Sequence, residues 1–260
     1  MAKLSISTWS LHPLLQPVRV AGSAELTLLD VPRALAERGF DAVEICHFHF
    51  PTTEGPYLES LTRNLKEAGI EFFSLLIDTG DISQADQDGR ERDLALTESW
   101  IEVAARCGAK CVRVAAGEAP PSDQAALERA IAGFKRLTAF AAARNVRVLT
   151  ENWKSLASTP ANCKRLIAEL NGELGLLADF GNFPAASKYE DLAEILPLAE
   201  DTHAKADETG GGTIDEADYD RCLELCERAG FSGPYTIVYA ADERWRGIEA
   251  AKARILRRTA

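Results

Sequence analysis

The sequence predicts an α/β fold, a single (β/α)8 barrel domain over residues 1–260, on three observations. Short apolar, β-branched runs alternate with longer segments of helical period, the pattern of a parallel sheet whose crossovers are helices. Eight such runs can be counted, and 260 residues shared among eight units leaves about 32 for each strand, loop, helix and loop, close to the ~250-residue total of a barrel of this kind. An open doubly wound sheet shares the alternation, but its first strand normally runs into a Gly-x-Gly-x-x-Gly turn. Here Trp9, Ser10, Leu11 and His12 follow the first strand, and that motif is absent from the whole sequence.

The strands are expected near Leu4 to Thr8, Ala42 to Cys46, Glu71 to Ile77, Cys111 to Ala115, Val146 to Glu151, Leu174 to Asp179, Asp201 to Lys205 and Tyr235 to Tyr239. Between them, Leu96, Trp100, Val103 and Cys107 form an apolar stripe at helical spacing, and Leu127, Ile131, Phe134 and Leu137 repeat it in the next unit. Gly39, Gly69, Gly108 and Gly230 each follow such a segment, where a left-handed C-cap favours a residue without Cβ. Thr159 before Pro160 reads as an N-cap with proline at N1. No low-complexity linker divides the chain. The most polar stretch, Asp78 to Asp93, is expected as a loop on the rim of the barrel rather than a domain boundary.

Composition narrows the function. Lys and Arg total 29 against 40 Asp and Glu, a net charge of -11, opposite to the footprint of a nucleic-acid binder. No apolar run approaches the ~20 residues of a membrane span. Lys3, Ser5, Ser7, Thr8 and Ser10 interrupt the first eleven residues, so no signal-peptide core is expected there. Six cysteines, without paired Cys-x-x-Cys spacing, read as reduced thiols of a cytoplasmic protein. Cys222 and Cys226, one helical turn apart, read as packing or surface thiols.

In such a barrel the loops at the C-terminal strand ends build the active face. The fifth strand closes on Glu151-Asn152, the sixth on Asp179-Phe180-Gly181-Asn182, and the seventh on His203-Ala204-Lys205. Carboxylate oxygens and an imidazole from three adjacent strands suit a divalent metal ion held by Glu151, Asp179 and His203. The plainer alternative is that these side chains cap neighbouring helices and bond one another.

These motifs, with Gly39-Phe40-Asp41-Ala42-Val43-Glu44, Gly108-Ala109-Lys110 and Gly230-Phe231-Ser232-Gly233-Pro234, resemble the xylose-isomerase-like TIM barrels, the superfamily of sugar and sugar-phosphate isomerases and epimerases. The resemblance covers essentially the whole chain and fixes no substrate. It implies manganese, magnesium, cobalt or zinc on Glu151, Asp179 and His203, with Glu151 also an acid/base residue, and it suggests a homodimer. One departure stands out. Members of the superfamily usually carry a second glutamate in strand eight, whereas Tyr235-Thr236-Ile237-Val238-Tyr239 places Val238 there. Water, substrate, Glu44, His47 or Asp242 would have to complete the site, or metal binding is weakened or gone.

An epimerase usually needs two bases, one on each face of the carbon it inverts. An aldose–ketose isomerisation can pass a proton along one face of an enediolate with a single carboxylate, and a β-elimination also needs one base. The expected activity is therefore metal-assisted isomerisation, or lyase chemistry, on a sugar, ketose or cyclitol, with Glu151 as base and the metal polarising the carbonyl. The alternative is a catalytically degenerate barrel serving as a sugar-binding or partner subunit. An abasic-site endonuclease would look for a richer histidine cluster than four histidines provide.

Around this centre, His47, Glu44 and Arg113 are candidate substrate contacts, and Trp9 and Trp153 can stack on a pyranose or simply pack the barrel mouth. His49 reads as a rim histidine satisfied by backbone, or else as a hydrogen-bond partner of sugar hydroxyls. Lys205, two residues past His203, projects to the same side of its strand. It can meet a hydroxyl, carboxylate or phosphate, or form a salt bridge with Asp207. Arg246 is a single charge near strand eight, and Gly210 to Gly212 mark either a phosphate loop or a flexible turn.

Overall fold

The computed structural model describes residues 2–15, 26–211, 213–242 and 244–259. Eight strands close into a parallel barrel: β1 (Leu4–Ser7), β2 (Ala42–Cys46), β3 (Glu71–Ile77), β4 (Cys111–Val114), β5 (Arg147–Glu151), β6 (Leu174–Asp179), β7 (Ala199–Lys205) and β10 (Tyr235–Val238). β1 pairs with both β2 and β10, which completes the ring. Two short strands after β7, β8 (Glu208–Gly210) and β9 (Thr213–Ile214), form a separate antiparallel hairpin. The expected strands thus all form, with ends that move by a residue or two. β1 stops at Ser7 because its hydroxyl accepts the Trp9 N–H and starts a 3-10 turn over Thr8–Leu11.

Local signals in the sequence account for the helices between strands. Gly39, Gly69, Gly108 and Gly230 have φ of 69°, 70°, 75° and 69°, the left-handed geometry expected of C-caps. Thr159 caps the helix Pro160–Glu169 through the Asn162 N–H. In the helix Gln124–Ala142, Leu127, Ile131, Phe134 and Leu137 are all buried.

Two expectations need correction. The helix Gln87–Cys107 begins inside the stretch expected to be loop, because the Asp86 side chain accepts the Gly89 N–H and caps it. Its first turns are charged on their exposed faces, which makes them look like loop in the sequence. On the same helix Leu96 is 40% exposed, while Leu94, Thr97, Ile101 and Ala104 turn inward with Val103 and Cys107. Two stripes of helical spacing compete in this segment, and packing against the barrel selects between them. Cys222 and Cys226 are both fully buried, which settles them as packing rather than surface thiols. Among the described residues no helix is long and apolar enough to cross a membrane.

The barrel mouth depends on a close approach after β10. The Tyr239 N–H donates to Ser10 Oγ, and its buried ring lies flat over Gly247 on the helix Arg244–Thr259. A Cβ on Gly247 would sit 2.2 Å from Tyr239 Cζ. Alanine is the better helix former by ~1 kcal/mol, but displacing a packed aromatic costs ~1–3 kcal/mol. Gly247→Ala is therefore expected to lower the urea midpoint, while Leu96→Ala leaves stability within ~0.5 kcal/mol.

Candidate active site

Strand register brings the central side chains together. His203 on β7 pairs with Asp179 on β6, and Glu151 ends β5 beside Leu177 of β6. Glu151, Asp179 and His203 each offer one ligand atom, and these atoms lie within 4.8 Å of one another. All three residues are buried, at 3%, 4% and 5% exposure. His203 Nδ1 is 3.5 Å from Glu151 Oε1 and 3.4 Å from Asp179 Oδ2.

The other face of the imidazole is held from below. Glu44, fully buried on β2, takes the His203 Nε2–H at 2.9 Å. Thr236 Oγ1 lies 3.1 Å from Glu44 Oε1 and 3.3 Å from Asp201 Oδ1, tying β2, β7 and β10 into one polar layer. Burial alone would lower the His203 pKa, but Glu151, Asp179 and Glu44 outweigh it and hold the imidazole well above its ordinary value. Between the two buried acids the proton falls on Asp201, whose pKa burial and the adjacent Glu44 raise strongly. Burial also pushes Glu44 upward, yet its bonds to His203, Asp201 and Thr236 carry it below the usual value, so it stays ionised.

Glu151 is clamped as well. Asn182 Nδ2 donates to its Oε1 at 2.9 Å, and Arg113 Nε stands 3.0 Å from its Oε2. Arg113 Nη1 is 2.6 Å from Asp78 Oδ1. Both Arg113 pairs are at ionic distance, although none of these atoms makes an aligned hydrogen bond. The guanidinium also lies 4.8 Å from the centre of the Trp153 ring. Asp179 accepts the Gly181 N–H at 2.6 Å, and the Asn152 amide bonds both the N–H and the carbonyl of Asp179.

A cavity of about 350 Å³ opens above these groups, with Trp9, Trp153, Lys205 and Val238 in its wall. Trp9, 44% exposed at the mouth, stacks on His12 and meets Phe48 edge-on. Cys46 also reaches the wall, but burial pushes its thiol up to about 12, so it carries no thiolate at neutral pH. Lys205 forms no ion pair with Asp207; its register partner on β10 is Val238.

Of the residues singled out in the sequence, Glu151, Asp179, His203, Arg113, Lys205, Trp9 and Trp153 gather at this cavity. Glu44 and His47 do not join its wall. Glu44 bonds the far nitrogen of His203, so it cannot share an ion with Nδ1 and supports the imidazole instead. His47 accepts the Asp78 N–H through Nδ1 and packs edge-on against Trp100. His49 bridges Thr8 and His12, so its partners are side chains rather than backbone; burial lowers its pKa to about 4. Asp242, Arg246, Gly210 and Gly211 stay out of the cavity wall, and Gly212 lies outside the described residues. Sequence reading missed Asn152, Asn182, Asp78, Asp201 and Thr236 as site residues. The first two stand beside Glu151 and in the Asp-Phe-Gly-Asn run, which was the available signal.

The donor set fits a divalent cation: two buried carboxylates and an imidazole nitrogen converge, and a third carboxylate, Glu44, holds the far ring nitrogen from behind. Val238 adds no donor, so three side chains, Glu151, Asp179 and His203, could hold such an ion, the number of protein ligands usual for an open metal centre. The proton assignment underneath is separately testable by urea unfolding. Asp201→Asn keeps a neutral donor and is expected to cost less than ~1 kcal/mol. Glu44→Ala strips His203 of a buried counter-charge and is expected to cost ~3 kcal/mol or more.

A family model described as xylose isomerase-like TIM barrel matches residues 32–258. A search of curated proteins found no match to the chain. Among solved structures, the chain is similar to 3-keto-D-glucoside 4-epimerase from E. coli in its apo form, at 18% identity and TM-score 0.73 over 100% of both chains. It is also similar to the probable 3-DHS dehydratase of petrobactin synthesis from Bacillus anthracis, at 17% identity and TM-score 0.72 over 99% of each chain. A third likeness is to a xylose isomerase-like TIM barrel protein from Mycobacterium smegmatis in complex with magnesium, at 18% identity and TM-score 0.70, covering 98% of this chain and 96% of that one. At such identities these structures speak to fold alone. The family match spans seven of the eight barrel strands, and on that ground the chain belongs to the xylose isomerase-like TIM barrel family.

Proposed function

We propose that the protein is a divalent-metal-assisted isomerase acting on a carbohydrate through an enediolate, with Glu151 as the base. The observation that carries this reading is a single clamped carboxylate facing an apolar residue. Glu151 is fixed by Asn182 and Arg113 beside Asp179 and His203, while β10 offers Val238 where a second base would stand. One base on one face suits 1,2-proton transfer, or the proton abstraction of a β-elimination, better than inversion of a carbon. The similar structures include an epimerase of a keto-glucoside and a dehydratase, which supports small oxygenated substrates as the class.

In this mechanism Trp9 and Trp153 bracket the sugar's apolar face, and Glu151 removes the proton next to the carbonyl and returns it to the neighbouring carbon. Arg113 and Asn182 keep the carboxylate aimed, and Glu44 holds the His203 ring through Nε2–H. A divalent ion on Glu151, Asp179 and His203 would polarise the substrate carbonyl and stabilise the developing oxyanion. Burial of all three side chains keeps bulk water from competing for them.

Elemental analysis and manganese titration are expected to find one divalent ion per chain, lost in Asp179→Ala and His203→Ala. Glu44→Gln is expected to weaken binding ~10–100-fold through the imidazole it orients. If the wild type takes up no ion and Val238→Glu does, the barrel is instead a degenerate binding subunit. In a screen of aldoses, ketoses and cyclitols with manganese, turnover is expected to exchange solvent deuterium beside the carbonyl. Glu151→Gln is expected to slow both turnover and exchange by ~10²–10⁴-fold. Turnover that proceeds normally in Glu151→Gln would remove the base from the scheme.

A further inference from the structure

We infer that the cavity takes a carboxylate-bearing substrate, a sugar acid or related hydroxy-keto acid, whose carboxylate is bound by Lys205. This rests on the reading of the cavity as a carbohydrate site and adds the charge of its ligand.

The charged groups of the wall are matched with one another, with one exception. Asp78 and Glu151 pair with Arg113, and Asp179 is held by the Gly181 N–H and His203. Lys205 also lines the cavity and is partly buried, yet among the described residues it has no hydrogen-bond or ion-pair partner. Its neighbour in register, where a carboxylate would have neutralised it, is Val238, 6% exposed and in the same wall. An ammonium in a partly dehydrated wall beside an apolar residue is electrostatically incomplete, and an anion from the ligand completes it.

A second observation shows that the reach of Lys205 into the cavity is built in. Gly181 does not have a left-handed backbone, so its lack of a side chain does not come from φ. A Cβ there would lie 2.6 Å from Lys205 Cδ and 3.0 Å from its Nζ. Gly181 thus leaves a lane along which the lysine stem crosses from β7, while the Gly181 N–H itself donates to Asp179.

The number of donors favours a carboxylate over a phosphate. Lys205 is a single point charge, Arg113 is already engaged by two carboxylates, and Gly210 and Gly211 stand away from the wall. A dianion generally calls on several donors at once, often backbone N–H groups at a helix N-terminus. A singly charged carboxylate matches one ammonium.

The test uses matched probes on the full chain in manganese: glucose and glucuronate, galactose and galacturonate, mannose and mannuronate, and the three hexose 6-phosphates. Binding is read from the tryptophan fluorescence of Trp9 and Trp153. At least one uronate is expected to bind about tenfold or more tightly than its neutral partner. Lys205→Met is expected to abolish that preference, the acid and its neutral partner then binding alike, and Lys205→Arg to keep it in part. Equal binding of acid and neutral sugar, stronger binding of the phosphates, no binding of any acid, or a preference that survives Lys205→Met each overturns the assignment. Manganese uptake by the wild type is measured separately, so failure here is distinguishable from failure of the metal-assisted reading.

Discussion

His203 is enclosed by Glu44, Glu151 and Asp179, and the chemistry of the centre follows from keeping one imidazole among three carboxylates out of water. Each buried charge costs several kcal/mol to dehydrate unless it is paired and bonded. The barrel meets that cost by giving every member a fixed partner: Glu44 on Nε2, Thr236 and a protonated Asp201 beneath Glu44, and Asn182 and Arg113 on Glu151. The outcome is an excess of carboxylate charge gathered around the imidazole, which is the property a divalent cation recognises. Strand register secures this arrangement, because Asp179 and His203 are paired residues on adjacent strands and cannot separate without breaking the ladder.

The second ring of contacts determines what the centre can do to a substrate. Arg113 stands beside Glu151 while it is itself locked by Asp78 and covered by Trp153, so its charge is spent on the protein and not on the ligand. After Trp153 the chain turns through Lys154 at φ 62° and ψ 164°, a conformation that costs ~1–3 kcal/mol in a residue with a Cβ. Lys154 is held there by an ion pair with Glu118 and by the face of Trp153. Trp153, the residue just before this turn, lines the cavity.

Val238 and Lys205 make the centre asymmetric. A carboxylate on β10 would have answered both the cation and the lysine; valine leaves one side of the cavity with a base and a metal-type cluster and the other with an apolar wall and an ammonium. In the proposed scheme that asymmetry separates proton movement, on the Glu151 side, from substrate anchoring, on the Lys205 side.

Much of this was legible in the amino-acid sequence. Strand count, helix caps and the Glu-Asn, Asp-Phe-Gly-Asn and His-Ala-Lys strand ends depend on local periodicity and on backbone preferences of a few residues, which survive in a linear string. The start of the helix at Gln87 and the inward face of that helix did not, because Leu96 and Leu94 lie on stripes of equal spacing until a partner surface chooses one. The roles of Glu44, Asp201 and Thr236 were hidden for a related reason. They lie more than 150 residues apart in the chain at the extremes, and only closure of the ring through the β1–β10 pairing brings β2 against β7 and β10. Sequence alone determined the barrel and the three side chains at its mouth. Tertiary structure alone decided which acid holds the proton, which charges are already paired, and that Lys205 is left facing the cavity, because electrostatic pairing depends on distance in space rather than on order along the chain.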